Sequence, residues 1–303
     1  MPRLSIIIPA YNRAHCIGRA LDSIRLQGLE NFEIVLGDDA STDGTIEAVR
    51  RIFPDAKMAG LAVNSGAAAA RNAAMKLATG EFLAFLDSDD EWLPGKLGAQ
   101  LEFLRENPDV ALCATSHVFC RRDGFRRELE VANPPNWAEA LLESQLFHGA
   151  STPVVRREVL DSVGFQDESL RVLEDWDWML RISQRHRIHV LPEHLAVIHE
   201  NGPSNADFTR ESMGRFLKKH LAEIPSPSLR RRVESQHWEN TARCFFRHSR
   251  NREGVACALQ SMAISPLRNP ALTAALPLAF ADRLLGTKFL RSMIAVRGGL
   301  SIV

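Results

Sequence analysis

Residues 4–12 read LSIIIPAYN. This β-branched apolar run, stopped by Pro9, is the pattern of a strand buried on both faces. Outward from it, strand and helix alternate. Ile17, Leu21 and Ile24 recur at i, i+4 and i+7 and mark one face of a helix. Residues 32–36 predict a second strand, ending at Gly37-Asp38-Asp39. Ser41, Thr42 and Asp43 offer caps for a helix whose apolar face is Ile46, Val49 and Phe53. Residues 61–63 predict a short third strand, followed by Asn64-Ser65-Gly66 and an Ala-rich helix through Ala78. Residues 82–86 predict a fourth strand, which runs into Asp87-Ser88-Asp89-Asp90.

Strand and helix in strict alternation imply an α/β fold: parallel strands, right-handed crossovers and helices on both faces. Ligands of such sheets lie beyond the carboxyl ends of the strands. The polar clusters at 9–12, 38–39, 64–66 and 87–90 all fall there, so four segments point at one crevice. From residue 110 the pattern loosens. It predicts strands over 110–120, 127–131, 151–155, 188–191 and 195–199, and helices over 137–147, 158–163 and 173–184. Beyond Phe208 everything reads as helix.

With 45% hydrophobic and 24% charged residues, the 303-residue chain can bury a full core, which excludes disorder and coiled coil. The 37 basic and 37 acidic side chains cancel, and no basic excess favours a nucleic-acid partner. Five widely spaced cysteines with no CxxC pair fit a reduced, cytoplasmic setting. The N-terminus lacks the long apolar core of a signal peptide. The apolar stretch 271–281 is far short of the roughly 20 residues a spanning helix needs. Charge is unevenly spread: −3 over 1–100, −6 over 101–204 and +9 over 205–303. That asymmetry predicts a boundary near Asn205.

Carboxylates crowded into Asp87-Ser88-Asp89-Asp90 repel unless a cation sits among them, and hard oxygen ligands suit Mg²⁺ or Mn²⁺. The bland alternative is a solvated turn capping the next helix. The acidic segment Glu174-Asp175-Trp176-Asp177 can accept a proton from an incoming hydroxyl, or can simply be the acidic first turn of a helix. Arg71 can orient a carboxylate or neutralise phosphate, against the ordinary surface arginine. His199 follows a strand and can reach a diphosphate or metal, though a lone histidine is more often structural. Neither G-x-G-x-x-G after the first strand nor G-x-x-x-x-G-K-[ST] is present, which removes the main support for a dinucleotide oxidoreductase and a P-loop ATPase. H-E-x-x-H and G-x-S-x-G are missing as well.

The ordered motifs SIIIPAYN (5–12), EIVLGDDASTDGT (33–45), Asn64-Ser65-Gly66 with Ala70-Arg71-Asn72, GEFLAFLDSDD (80–90) and Glu174-Asp175 resemble those of family 2 glycosyltransferases. The resemblance covers residues 3–205 and implies a GT-A fold: a Rossmann-like, mostly parallel central sheet with helices on both faces, here followed by a C-terminal helical region. It implies a nucleotide-sugar-binding half over 1–109, an acceptor-binding half over 110–204 and a basic helical region over 205–303. It implies inverting transfer from a nucleotide-diphosphate sugar, UDP being the commonest base, to a hydroxyl of a glycan or lipid-linked acceptor, in cell-surface polysaccharide or glycoconjugate synthesis. Carried over by position, Pro9, Tyr11 and Asp39 line the base and ribose pocket. Asn64 and Arg71 flank the nucleotide, and Ser88 sits inside the D-x-D element. Asp87 and Asp89 hold Mg²⁺ or Mn²⁺, with Asp89 the direct ligand, and His199 sits near the diphosphate. Asp175 is the catalytic base, with Glu174 beside it on the acceptor side.

Two other classes compete. A sugar nucleotidyltransferase would carry a Gly-rich phosphate loop after the first strand, and Pro9-Ala10-Tyr11-Asn12 is not one. A non-catalytic nucleotide-sugar-binding protein would not need so many clustered carboxylates. The basic last third reads as a helical cap with a solvated face, or as a peripheral contact to an anionic membrane aided by residues 276–280 and 289–294.

Overall fold

The computed structural model describes residues 3–144, 146, 150–200 and 205–265. One compact unit comprises Met1–Leu141 and Leu146–Asn201, and a second comprises Leu142–Gln145 and the chain from Gly202 onward.

The first unit opens with β1 (Leu4–Ala10), α1 (Ile17–Arg25), β2 (Phe32–Asp38), α2 (Thr45–Ile52), β3 (Lys57–Gly60), α3 (Ala67–Leu77) and β4 (Phe82–Phe85). β1 lies centrally, paired in parallel with β2 on one side and β4 on the other, and all seven of its residues are buried. This is why its apolar run is continuous rather than alternating. The register aligns the strand ends: Ala10 stands opposite Asp38, Asp38 opposite Gly60, and Ile7 opposite Phe85. The segments after β1, β2, β3 and β4 therefore emerge along one rim.

The third strand is a correction to the sequence reading: it runs over Lys57–Gly60, not 61–63. The Leu61 N–H makes the last bond to β2, donating to the Asp38 carbonyl at 2.8 Å, and Val63 beyond it is 67% exposed. β3 pairs only with β2 and ends the strand order, so an edge position did not demand the apolar run that marks the central strands.

The unit continues with β5 (Glu91–Trp92), α4 (Lys96–Glu106), β6 (Val110–Cys120), β7 (Arg126–Leu129), α5 (Trp137–Glu143), β8 (Val154–Arg156), α6 (Val159–Val163), α7 (Glu174–Ser183) and β9 (Arg187–His199). The nine strands among the described residues form one mixed sheet ordered β3-β2-β1-β4-β8-β6-β9-β5, with β7 on β6. Beyond β4 the parallel rule stops. β8 runs antiparallel to both β4 and β6, β5 runs antiparallel to β9, and only β6 and β9 pair in parallel. The two strands expected over 188–199 are one strand whose register slips near Ser116. Pro192, which has no N–H to give a ladder, sits in the slip. The helix expected to reach Phe147 is described only as far as Glu143.

In the second unit, α8 (Ala206–His220) starts at Asn205, whose side chain accepts the N–H groups of Asp207 and Phe208. A 3-10 turn (Leu221–Glu223) leads to α9 (Pro227–Arg247), capped by Ser226 with Pro227 in its first turn. α10 (Asn251–Ile264) packs on α9 around Ala242, Phe245, Phe246, Cys257 and Ala258. Much of the basic charge is matched locally. Arg215 pairs with Glu211, Arg232 with Glu143, Arg243 with Glu239, and Arg250 with both Asp207 and Glu253. The apolar segments 276–280 and 289–294 lie outside the described residues. No helix among the described residues is long and apolar enough to cross a membrane, and all five cysteines are free thiols.

Candidate active site

The Ala-rich α3 follows Gly66, whose φ of +100° makes the turn an L side chain rarely adopts. Its fifth residue, Arg71, is 4% exposed. One end of the guanidinium donates to Asp87 Oδ1 at 2.7 Å, at the end of β4. The other donates to Glu174 Oε1 at 2.7 Å, in the first turn of α7, and lies 3.4 Å from Gln166 Oε1. Burial alone would lower the Arg71 pKa, and the charges of Asp87 and Glu174 raise it instead, so its charge is permanent. The neighbouring Asn72 holds the 166–168 segment, donating to the Gln166 carbonyl and to Glu168 and accepting the Gln166 N–H.

Asp175 follows Glu174 and is 9% exposed. Burial first, then the charge of Glu174, push its carboxyl up to about 7, against the opposing pull of Arg71 and the N–H of Trp176. Leu173, which precedes the pair, sits in the left-handed region at φ +69° and begins the helix. A carboxylate poised near 7 on an acid-rich helix start is suited to taking a proton from a neutral hydroxyl.

The Asp87–Asp90 turn is closed by the Asp90 N–H donating to the Asp87 carbonyl. Asp89 Oδ2 lies 3.4 Å from Arg13, and the Asp89 carbonyl accepts from Arg19. Buried Ser88 offers its carbonyl to the Cys16 thiol at 3.8 Å. Burial and then the charges of Asp87 and Asp89 drive the Asp90 carboxyl well above the usual carboxylate range. Asp87 and Asp89 bring two further carboxylates to this turn, each set beside an arginine. A divalent cation fits such a donor set, because Mg²⁺ and Mn²⁺ prefer hard oxygens. Among the described residues no three His, Cys, Asp or Glu side chains form a ready-made metal cage. Such an ion takes one or two protein carboxylates and fills its shell from phosphate and water.

The remaining sequence-derived candidates share the rim, and of them His199 hydrogen-bonds the acidic turn. Pro9 is buried in β1, Tyr11 just after it is 45% exposed, and Asn64 is exposed. Asp39 is 4% exposed and already committed: its two oxygens accept the N–H groups of Ser65 at 2.6 Å and Gly66 at 2.9 Å. Its neighbour Asp38 accepts from the Ser41 N–H through Oδ2, while its buried Oδ1 has no hydrogen-bond partner among the described residues. His199 packs against the acidic turn, its N–H donating to Asp90 and its Nε2 3.0 Å from Glu91. Sequence reasoning missed Gln166, Ser151, Arg13 and the separate uses of Asp38, Asp90 and Glu91. Asp90 and Glu91 at least lie in the acidic run, whereas Ser151 and Gln166 carry no local signal. A cavity of about 880 Å³ opens at the opposite rim, around Arg3, Lys76, Glu81 and Arg157, and none of the acidic-motif residues lines it.

An α/β sheet with carboxylates and a buried arginine on its carboxyl rim is matched by a known family. The family model described as "Glycosyl transferase family 2" covers residues 5–164, more than half of the chain, so the chain belongs to that family and is a glycosyltransferase. The chain is similar to TuaG of Bacillus subtilis, a glycosyltransferase assigned to teichuronic acid biosynthesis: 28% identical over 256 residues, 82% of this chain and 96% of that protein. It is 42% identical over 107 residues to WfgD of Escherichia coli, a UDP-Glc:alpha-D-GlcNAc-diphosphoundecaprenol beta-1,3-glucosyltransferase, over 34% of this chain and 42% of that one. Among solved structures, the mannosyltransferase PcManGT of Pyrobaculum calidifontis, in complex with GDP-Man and Mn²⁺, superposes with a TM-score of 0.60 at 21% identity. That match covers 97% of this chain and 83% of that one, and it establishes the GT-A fold.

Proposed function

We propose that this glycosyltransferase inverts configuration in a single displacement, moving a sugar from a UDP-linked donor to a hydroxyl of a glycan or lipid-linked acceptor. The observation that carries the reading is the span of Arg71, one guanidinium linking Asp87 at the donor turn to Glu174 beside Asp175. The acid pair and the carboxylate turn are thereby held within a side chain's reach, the spacing a sugar between base and leaving diphosphate requires.

The acceptor oxygen attacks the anomeric carbon, the anomeric C–O bond to the diphosphate breaks, and the acceptor proton passes to the Asp175 carboxylate. Glu174, fixed by Arg71, orients the acceptor hydroxyl beside it. Asp87 and Asp89 would hold Mg²⁺ or Mn²⁺, which when bound supplies neutralisation of the diphosphate charge. Pro9, Tyr11, Asp39 and Asn64 would frame the nucleoside; the exposed Tyr11 ring is free to pack on a base. With both Asp39 oxygens spent on Ser65 and Gly66, the role we assign it is to hold the 64–66 loop beside the nucleoside. Arg71 is too committed to carboxylates to bind phosphate directly. We place His199 at the diphosphate, with Ser88 shaping the turn. The names of TuaG and WfgD support a setting in cell-surface polysaccharide assembly on lipid-linked acceptors.

Asp175→Asn should abolish sugar transfer while UDP still binds in the presence of Mn²⁺, with EDTA weakening that binding in both proteins. Calorimetric titration alongside a radiolabelled transfer assay tests this. Near-native turnover by Asp175→Asn would overturn the assignment.

A further inference from the structure

We infer that Asp90 and Glu91 are positioning residues that grip His199, one by its backbone and one by its ring, and aim it at the donor diphosphate. The inference rests on the reading of His199 given above. Residues 87–91 contain four carboxylates, and the structure divides their work. Asp87 faces Arg71, and Asp89 lies by Arg13. The other two meet the end of β9. The β5–β9 ladder pairs Glu91 with Val197, and past that register the Asp90 side chain takes over: Oδ1 accepts the His199 N–H at 2.9 Å. Its Oδ2 accepts from Ser151 Oγ at 2.6 Å, and Ser151 Oγ accepts the Asp87 N–H at 3.0 Å. One chain of hydrogen bonds therefore runs from Asp87 through Ser151 and Asp90 to His199.

Closing the sheet edge needs no more than Asp90. The second contact is a different kind of feature: Glu91 Oε1 lies 3.0 Å from His199 Nε2. A carboxylate oxygen accepts, so Nε2 is the donor in this contact and Nδ1 is the nitrogen left to meet another group. A carboxylate that fixes tautomer and ring orientation is how proteins prepare a histidine to contact an ion or an anion. The His199 ring is 18% exposed and Glu91 26%, so the pair borders solvent rather than filling the core.

A double-mutant cycle on the full chain tests this, with UDP and GDP binding measured by calorimetry in Mn²⁺ and donor KM and kcat measured in parallel. Glu91→Gln should weaken nucleoside diphosphate binding roughly tenfold and raise donor KM more than it lowers kcat. In the His199→Ala background the same substitution should change neither. Asp90→Asn should follow the same pattern; if it fails to fold, Glu91→Gln, which touches no buried group, still decides. Equal losses in both backgrounds, or native binding by Glu91→Gln beside weakened binding by His199→Ala, would overturn the inference. Unchanged binding by His199→Ala would instead remove the reading of His199 itself, and the grip with it.

Discussion

At the scale of single residues, the site depends on two buried groups, an arginine that keeps its charge and a carboxyl whose proton is held more tightly than in water. Arg71 stays charged because two carboxylates bracket it, and Asp175 is lifted to about 7 by burial and by Glu174. A general base must be ionised to work, so a raised pKa moves activity to higher pH. kcat/KM should therefore be flat above about 8 and fall tenfold per pH unit below about 7. Arg71 opposes the upward shift, so Arg71→Gln should move that acid limb to still higher pH. A pH–rate profile between 5 and 9 checks both, and activity undiminished at pH 5.5 would contradict the role of Asp175. Both residues were legible in the sequence, since each sits in an ordered motif. Their mutual contact was not. Arg71 and Glu174 are 103 residues apart in the chain, and only the fold brings them to 2.7 Å.

At the scale of elements, what positions Arg71 is the close approach of α3 to β2. A Cβ on Gly37 would stand 2.1 Å from the carbonyl oxygen of Ala70, the residue before Arg71, with backbone on both sides of the clash. Gly37→Ala should cost about 1–3 kcal/mol or more and lower transfer activity by displacing α3. Gly98 in α4 has open space where a Cβ would go, and Gly98→Ala should stabilise by roughly 0.5–1 kcal/mol. Urea unfolding of the two variants side by side tests this, and equal effects would refute it. Elements were legible where packing leaves a pattern. β1, β2 and β4 announce themselves by the apolar runs 6–8, 34–36 and 82–85, because burial on both faces requires them. β3 did not, because an edge strand tolerates Lys57 and leaves the apolar residues 61–63 to the loop. The unity of β9 was hidden by Pro192, which breaks the ladder locally while β6 carries the strand across the slip. Ser151 stands in a connection just ahead of β8, where no periodicity singles it out.

At the scale of the whole molecule, zero net charge conceals ionisable groups that pull stability in opposite directions with pH. Glu33 accepts from Ser5, Thr79 and Lys57, bonds that overcome partial burial and hold it down to about 2, so it adds stability above its ordinary 4.5 that is lost as pH falls. Asp175, raised to about 7, acts in the reverse sense, subtracting stability as pH climbs from about 4 to 7. Lys96 governs the alkaline side. It is wholly buried, donates to Gln100 at 2.6 Å and lies 4.7 Å from the centre of the Trp92 ring, and burial lowers its pKa to about 7. Between pH 7 and 9 the unfolded chain holds this proton and the folded chain does not, so the first unit should gain stability as pH rises, by up to about 1.4 kcal/mol per unit; above about 9 the buried Cys113 thiol, pushed up to about 12, opposes the rise. Four of the five tryptophans, Trp92, Trp137, Trp176 and Trp178, belong to that unit and report its unfolding by fluorescence. Lys96→Met should abolish the rise between pH 7 and 9 while leaving the acid side of the curve, set by Glu33, in place. An alkaline rise that persists in Lys96→Met would assign it to another group. No rise in the native chain would mean that Lys96 keeps its proton inside the core.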